Sequence, residues 1–323
     1  MNNLKIFGLN ATKPFASKVA DFLDVPLSPH KECYFDDKEP YVRSEVNIRG
    51  NDVYIIQSLF SDENETVCQK FTKLLFFIGS LYDASAHRIT VVIPYMGYSR
   101  QDRKTESRAP ITTKYVAQLL EAVGTNRIMT MDIHNLSAYQ NAFRTCKSDE
   151  LSAKNLHADY ICSLGLDNLA VLSPDSGGMG RAERFRNALV RRSKQKIELV
   201  YLDKTHKGRN ISGTNIIGDV KGKDVIGIDD MISGGSTFRE SQAAVDAHGG
   251  HLWGVCATHG LFVGAVNENL AQINHVIVTD TINNCSGLNA QLLERITVLS
   301  TAEMFARAIR RIHMGESISD LLK

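Results

Sequence analysis

The chain has 323 residues, of which 43% are hydrophobic and 23% are charged, and its formal net charge is +1. This length favours two domains that each have a core, and the near-neutral charge argues against non-specific binding to nucleic acid. The six cysteines show no Cys-X-X-Cys spacing, so neither a zinc site nor a disulfide framework is indicated. The N-terminus lacks the apolar core of a signal peptide, and no apolar run approaches the ~18 residues of a membrane span, so we expect a cytoplasmic protein that does not enter a membrane.

Short apolar strands alternate with amphipathic helices along the whole chain, which predicts an α/β fold with mostly parallel sheets. The predicted strands are 5–9, 52–58, 89–93, 127–133, 169–172, 197–203, 225–228, 251–258, 275–279 and 295–299. The predicted helices are 14–23, 64–82, 112–123, 151–164, 181–192, a segment closed by Gly249 and Gly250, and 301–314. A polar stretch at 143–151 predicts a boundary between domains 1–148 and 149–323, with the final helix as a segment that can cross back.

The stretch from Cys33 to Glu39 places an aromatic residue among acids. Such a pattern is usually a surface turn. The functional alternative is an adenine site, in which Phe35 stacks on the base and Asp37 or Glu39 accepts a hydrogen bond from its amino group.

Cations and a histidine follow two predicted strands of the first half. Arg100, Arg103, Lys104 and Arg108 come soon after 89–93, and they form either a solvated loop or a binding strip for a polyphosphate. His134 follows 127–133. A single histidine is more often structural than a ligand, but this position makes it a candidate for contact with metal or phosphate.

The most informative stretch runs from Asp224 to His248. Two acids, Asp229 and Asp230, follow the apolar run 225–228, and a loop of small residues, Ser233–Thr237, precedes a helix. Glycines let backbone N–H groups turn toward an anion, and a helix N-terminus adds positive potential. The alternative without a binding function is that these residues only form a turn between a strand and a helix. The full pattern resembles the phosphoribosyl-pyrophosphate loop of the phosphoribosyltransferase fold.

Two more polar segments of the second half follow strands. Asp175 comes after 169–172, beside Gly177 and Gly178. Lys204 is expected at the tip of 197–203, before the polar segment 205–215. That segment is either a connector or a mobile, basic lid.

Taken together, these stretches resemble the ribose-phosphate diphosphokinase (phosphoribosyl-pyrophosphate synthetase) family, with motifs that include FDDKE, IRGNDVYIIQS, VVIPYMGYSRQDRK, TMDIHN, SPDSGG and DVIGIDDM. The resemblance implies two similar phosphoribosyltransferase-type domains, each a mostly parallel sheet flanked by helices. It implies a transferase of nucleotide biosynthesis, a kinase that moves the diphosphoryl group of ATP to the anomeric hydroxyl of ribose 5-phosphate. The products are phosphoribosyl pyrophosphate and AMP, the cofactor is Mg²⁺, and the assembly is a dimer-based homo-oligomer, often a hexamer.

The resemblance also assigns roles residue by residue. To ATP it assigns Phe35, Asp37, Glu39, Arg100, Gln101, Asp102 and His134. To ribose 5-phosphate it assigns Asp175, Asp229, Asp230, Ser233, Gly234, Gly235, Ser236 and Thr237. The metal is assigned to His134 and Asp175, and catalysis to Lys204, Arg100 and His134.

Two alternative functions remain at this point. A phosphoribosyltransferase would share the loop after Asp230 but would have no use for the cations around Arg100. A non-catalytic regulatory subunit would keep the fold and lose the lid chemistry, and His206 stands where the family usually has an arginine two residues beyond the lysine.

Overall fold

The structure, a computed structural model, describes residues 3–207 and 210–321, and for residues 204–207 and 210–214 it describes the backbone alone. The chain forms two compact units, Met1–Ser152 with Ser300–Lys323, and Ala153–Leu299. The boundary expected after residue 148 falls inside a strand, four residues before this division, and the last 24 residues belong to the first unit.

Two composition-based expectations concern the membrane and the thiols. None of the described helices is both long enough and apolar enough to cross a membrane. All six cysteines carry free thiols, of which only that of Cys68 belongs to an exposed residue. The scattered spacing of the cysteines therefore corresponds to separate side chains rather than to a framework of bridges.

The strands and helices alternate along the described residues. The strands are β1 (Leu4–Gly8), β2 (His30–Tyr34), β3 (Pro40–Ser44), β4 (Asp52–Ile56), β5 (Arg88–Ile93), β6 (Arg127–Met131), β7 (Lys147–Leu151), β8 (Leu169–Ser173), β9 (Glu198–Lys207), β10 (Asn210–Ile217), β11 (Asp224–Ile232), β12 (His251–Gly260), β13 (Val276–Thr279) and β14 (Ile296–Leu299). The α-helices are α1 (Lys13–Leu23), α2 (Val67–Asp83), α3 (Thr112–Ala122), α4 (Leu136–Ala142), α5 (Lys154–Ser163), α6 (Met179–Ser193), α7 (Ser236–Ala247), α8 (Val266–Asn269), α9 (Ala290–Leu293) and α10 (Ala302–Met314).

The first unit is built on a parallel sheet in the order β1-β4-β5-β6-β7. Strands β4 and β5 read as continuous apolar runs because nearly all their residues are buried. Helix α2 covers this core with Leu74, Phe77 and Ile78. It begins at Val67 because Thr66 and Gln69 form a capping box that satisfies two backbone N–H groups.

Strand β7 was absent from the sequence prediction, which treated 143–151 as a polar boundary. Its main chain pairs with β6 from Lys147 to Leu151, at the edge of the sheet. An edge strand is covered on fewer sides, so its side chains need not be apolar. Arg127 of β6 forms an ion pair with Asp149 of β7. The following helix begins at Lys154 rather than at residue 151.

The second unit contains a seven-stranded sheet in the order β10-β9-β8-β11-β12-β13-β14. All neighbours are parallel except β9 and β10. The chain runs outward from β8 in one direction and returns to β11 to continue in the other. Strands β8 and β11 therefore flank a topological switch point, where the carboxyl ends of strands open a crevice for ligands.

The polar segment 205–215 was predicted to be a loop, but its described residues, 205–207 and 210–215, lie in strands. It belongs mostly to β9 and β10, whose backbones pair from Lys207 with Asn210 to Tyr201 with Ile217. Because each strand supplies backbone partners for the other, a polar sequence can form this hairpin. Lys204 consequently lies within β9 rather than at its end, and its side chain is outside the described part of the chain.

The final helix closes the first unit by packing on α1, where the rings of Phe15 and Phe305 meet edge to face with centroids 5.5 Å apart. Near its end, His313 Nδ1 lies 2.8 Å from Asp52 Oδ2. Arg88 Nε donates to Asp52 Oδ1 at 2.8 Å, and a second guanidinium nitrogen donates to Oδ2. One buried carboxylate thus joins two strand starts to the end of α10.

We expect Asp52→Asn to lower the free energy of unfolding by on the order of 2 kcal/mol, because it removes the charge that Arg88 and His313 share. Urea unfolding followed by circular dichroism measures this change. The matched control is Glu303→Gln, which breaks the exposed pair of Glu303 with Arg307 and should cost less than about 0.5 kcal/mol. Equal costs for the two variants would contradict the anchoring role of Asp52.

Candidate functional site

The acid pair lies inside strand β11, not beyond it. The strand was predicted to end before Asp229, but its backbone continues to pair with β12 through Ile232. Polar side chains do not end a strand whose main-chain partners continue. Asp229 is half-buried and Asp230 is buried, with only 2% of its surface exposed. The two carboxylates therefore stand at the carboxyl end of β11 in a partly dehydrated setting.

Arg181 of α6 holds this acid pair. Its Nη1 donates to Asp229 Oδ1 at 2.8 Å, and its Nη2 lies 3.6 Å from Asp230 Oδ1. Burial and the negative charge of Asp230 raise the pKa of Asp229, and Arg181 opposes this rise. Arg181 was not among the site residues predicted from the sequence, although its position in the first turn after the loop of Asp175 was a usable signal.

The loop of small residues joins β11 to α7 in a conformation that suits an anion. Gly235 has φ +78°, and a Cβ there would lie 2.9 Å from Leu270, so glycine is required for conformation and for space. Asn269 Nδ2 donates to the carbonyl of Gly234 at 2.6 Å and fixes the turn. Among the side chains that the structure describes, none caps α7, which begins at Ser236. Uncapped N–H groups at a helix start suit an anion, and the phosphate site at Ser233–Thr237 stays a prediction.

Asp175 lies in the turn between β8 and α6, and β8 is the neighbour of β11 in the sheet. Its Oδ1 accepts from Gly178 N at 2.8 Å, and its carbonyl accepts from Ser173 Oγ at 2.7 Å. The residue is exposed, and within the described residues Oδ2 has no hydrogen-bond partner. Asp175, Arg181, the acid pair and the small-residue loop therefore meet at the switch point of one sheet.

The first unit brings together a second group at the ends of β5 and β6. Asn135 Nδ2 donates to Asp102 Oδ2 at 2.6 Å, which ties the loop after β5 to the loop of His134. Gln101 Oε1 accepts from Thr112 Oγ1 at 2.5 Å. The side chains of Gln101 and Asp102 thus order their own loop. Arg100 and His134 are exposed.

The predicted adenine residues form the turn between β2 and β3. Phe35 N donates to the carbonyl of Glu39 at 3.0 Å, and Glu39 N donates to Asp37 Oδ1 at 3.1 Å. Lys38 takes φ +72° to close the turn. The ring of Phe35 is 56% exposed and touches Tyr41 edge to face. The described contacts of this turn lie within the hairpin, so they do not join it to the loops of Arg100 and His134.

Metal binding was assigned to His134 and Asp175. Among residues 3–207 and 210–321, no three His, Cys, Asp or Glu side chains are grouped so that they could hold a metal ion. Mg²⁺ in nucleotide sites takes most of its ligands from phosphates and water, and it needs only one or two carboxylates. The exposed carboxylate of Asp175, with one oxygen uncommitted, fits that requirement.

The fold is that of an α/β enzyme with a loop of small residues at the switch point of its larger sheet, and comparisons with known proteins specify it further. Residues 4–124 match the N-terminal domain of ribose phosphate pyrophosphokinase, and residues 188–323 match the phosphoribosyl synthetase-associated domain. A ribose-phosphate pyrophosphokinase of Vibrio parahaemolyticus is 38% identical over 323 residues, which covers 99% of each chain. One from Halalkalibacterium halodurans is 36% identical over 320 residues, covering 98% of this chain and 96% of the relative.

A crystal structure of phosphoribosylpyrophosphate synthetase from Mycobacterium smegmatis superimposes with a TM-score of 0.86 at 32% sequence identity, covering 97% of this chain and 100% of that one. The chain belongs to the ribose-phosphate pyrophosphokinase family. The family and the fold class that the motifs indicated are thereby confirmed.

The acid pair leads to a prediction about stability. The pKa of Asp229 is higher in the folded protein than in the unfolded chain. The folded protein therefore loses stability as the pH rises from the ordinary pKa of an aspartate to the raised pKa of Asp229, because ionisation is less favourable in the folded state. We expect Asp229→Asn to increase the free energy of unfolding by roughly 1–2 kcal/mol at about pH 8, and to change it little near pH 4. Urea unfolding at both pH values measures the difference.

The control for this experiment is Asp224→Asn on the same strand. Asp224 lies at the other end of β11 and pairs with the exposed ring of His251. Its substitution should change the unfolding free energy at pH 8 by less than about 0.5 kcal/mol. A loss of stability in Asp229→Asn at pH 8 would show that the pair is held without electrostatic cost.

Proposed function

We propose that this chain transfers the β,γ-diphosphoryl group of ATP to the anomeric hydroxyl of ribose 5-phosphate, with phosphoribosyl pyrophosphate and AMP as products. The observation that carries the proposal is the acid pair beside an uncapped helix N-terminus at the end of β11. Together these groups match a phosphorylated sugar, which presents hydroxyl donors and a phosphate. Similarity to ribose-phosphate pyrophosphokinases over nearly the whole chain supports the same reaction.

The sugar binds in the second unit in this proposal. Asp229 and Asp230 accept hydrogen bonds from the ribose hydroxyls, which replace the water that ionised carboxylates would otherwise need. The N–H groups and hydroxyls of Ser233–Thr237 surround the 5-phosphate. Arg181 keeps the acid pair in place and offsets part of its charge.

The nucleotide binds through residues of the first unit. Phe35 stacks on adenine, while Asp37 or Glu39 accepts from its amino group. Arg100 and His134 contact the phosphates, and their exposure leaves them accessible to a ligand. Gln101 and Asp102, assigned to ATP from the sequence, order the loop that carries Arg100 through their bonds to Thr112 and Asn135.

Asp175, with His134 through a water molecule, is the proposed protein contribution to Mg²⁺. When bound, this ion neutralises phosphate charge and orders the triphosphate for in-line attack. Diphosphoryl transfer requires positioning, charge neutralisation and exclusion of water rather than covalent work by the protein. Lys204 and Arg100 supply positive charge to the moving phosphates and to the departing AMP. We assign no general base.

The assembly and the compartment are part of the same proposal. We propose a dimer-based homo-oligomer in which the adenine turn of Phe35 lies near a subunit boundary, and a cytoplasmic location. The ring of Phe35 is 56% exposed at the tip of a hairpin, where both a ligand and a neighbouring subunit can reach it.

Of the two enzyme hypotheses, the phosphoribosyltransferase is the weaker. It would use the loop after β11 but would leave the cationic loop of the first unit without a substrate. The match of residues 4–124 to the N-terminal domain of ribose phosphate pyrophosphokinase favours the diphosphokinase.

The decisive assay mixes purified protein with ATP, Mg²⁺ and ribose 5-phosphate. We expect AMP and phosphoribosyl pyrophosphate to form in a one-to-one ratio, which chromatography of both products measures. ADP as the nucleotide product would exclude diphosphoryl transfer. Absence of AMP over a range of magnesium and phosphate concentrations would favour the regulatory-subunit reading, which His206 suggested.

A further expectation concerns Lys204. Lys204→Ala should lower kcat by on the order of 10²–10³, because it removes a charge that acts on the moving phosphates, and should change the affinity for ribose 5-phosphate by less than about threefold. Steady-state kinetics and isothermal titration measure the two quantities. Lys196→Ala is the control, since that side chain is 90% exposed in the same unit and should leave kcat unchanged. Equal losses of rate and sugar affinity would refute the catalytic role.

A further inference from the structure

The hairpin that carries the adenine turn needs an anchor. Strands β2 and β3 pair with each other and form a separate two-stranded sheet, outside the five-stranded sheet of the first unit. A two-stranded hairpin is at best marginally stable by itself. The position of Phe35 at its tip therefore depends on the side chains that attach the hairpin to the rest of the unit.

Lys73 of α2 lies at the centre of such an attachment, with 1% of its surface exposed. Its Nζ donates to Glu65 Oε1 at 2.5 Å and forms an ion pair with Glu32 Oε2 of β2 at 2.7 Å. Glu65 Oε1 also accepts from Tyr34 OH at 2.5 Å. One buried ammonium thus joins a helix, a loop and the strand that ends immediately before Phe35.

The other oxygen of Glu32 is also occupied. Its Oε1 accepts from His30 Nε2 at 2.7 Å and from the backbone N–H of Asn10 at 2.7 Å. Burial works against ionisation, but the hydrogen bond from His30 and the charge of Lys73 lower the pKa of Glu32 overall. The carboxylate is therefore charged at neutral pH, and it is held from three directions.

A second buried lysine extends the cluster along the same helix. Lys70 is fully buried, pairs with Asp62, and has its Nζ 3.7 Å from the centre of the Phe60 ring. Asp62 Oδ1 accepts from Glu65 N at 2.9 Å, which fixes the loop that presents Glu65 to Lys73. Buried charges are costly to dehydrate, and apolar side chains would stabilise the same contact at lower cost. Charged groups instead fix the relative position of the helix, the loop and the hairpin, because each ion pair requires a particular partner at a short distance.

We propose that Lys73 is a positioning residue for nucleotide binding: with Glu65 and Glu32 it fixes the β2–β3 hairpin on α2, so that Phe35 meets the adenine in one orientation. This inference rests on the proposed function, in which the Phe35 turn binds the base. Lys73 itself does not contact the substrate.

The test compares Lys73→Met with the double variant Lys73→Met/Glu65→Gln. The single variant leaves two buried carboxylates facing each other, so it loses stability as well as geometry. The double variant removes part of that repulsion and recovers much of the thermal stability. We expect both to raise KM for ATP at least tenfold, with KM for ribose 5-phosphate and kcat changed less than threefold. If KM for ATP recovered together with stability, the role of Lys73 would be structural only and the proposal would fail.

Hydrogen exchange provides a readout that does not depend on activity. Backbone amides of residues 30–44 should exchange faster in the double variant, while the amides of β4 and β5 keep their protection. Tyr34→Phe, which removes only the hydrogen bond to Glu65, should act in the same direction with a rise of about threefold in KM for ATP. Unchanged exchange in 30–44 would overturn the proposal.

Two controls separate this proposal from the proposed function. Arg127→Met breaks the ion pair with Asp149 in the same unit and should lose stability without a change in KM for ATP. Phe35→Ala should raise KM for ATP at least as much as Lys73→Met. If Phe35→Ala has the effect and the Lys73 variants do not, the anchoring fails and the adenine site stands. If Phe35→Ala has no effect, the adenine assignment fails, and the positioning role fails with it.

Discussion

Two like charges at the carboxyl end of a buried strand impose the constraint on which the site depends. Asp229 and Asp230 repel each other where water is scarce, and burial raises the pKa of Asp229. The pair is tolerable because Arg181 reaches it from the first turn of α6. That reach requires β8, which precedes α6, to lie beside β11. The strand order of the second sheet therefore places the cation that stabilises the acid pair.

The apolar strands, including β1 and β14 at sheet edges, were predictable from the sequence, whereas the polar strands β7 and β10 were not. Strands such as β4, β5 and β8 are buried on both faces, so each is a continuous apolar run. Strands β7 and β10 lie at sheet edges, where backbone pairing does not require apolar side chains, and the unpredicted end of β9 after residue 203 pairs with β10. Strand β11 was predicted too short for a related reason: its last residues are held by β12, and that partnership leaves no local signal.

The residues of the candidate site also differ in how far the sequence could predict them. Loop residues such as Gly235 were recognisable because their chemistry is local: a positive φ and close packing require glycine. Two partners were not recognisable, since Asn135 and Asn269 act on residues 33 and 35 positions away. Arg181, which acts 48 positions away, was signalled only by its place in the first turn after the loop of Asp175. The lysines of α2 are a stronger case. In a sequence they resemble solvated helix charges, whereas the fold buries both.

The first unit is discontinuous in sequence, with the whole second unit inserted between Ser152 and Ser300. During synthesis from the N-terminus, α1 and Asp52 leave the ribosome long before α10 and His313 exist. A nascent chain that has reached residue 299 can complete the inserted unit, but the surrounding one still lacks its last helix. Completion of the first unit therefore waits for synthesis of α10, and a premature stop anywhere before α10 leaves Phe15 without Phe305 and Asp52 without His313.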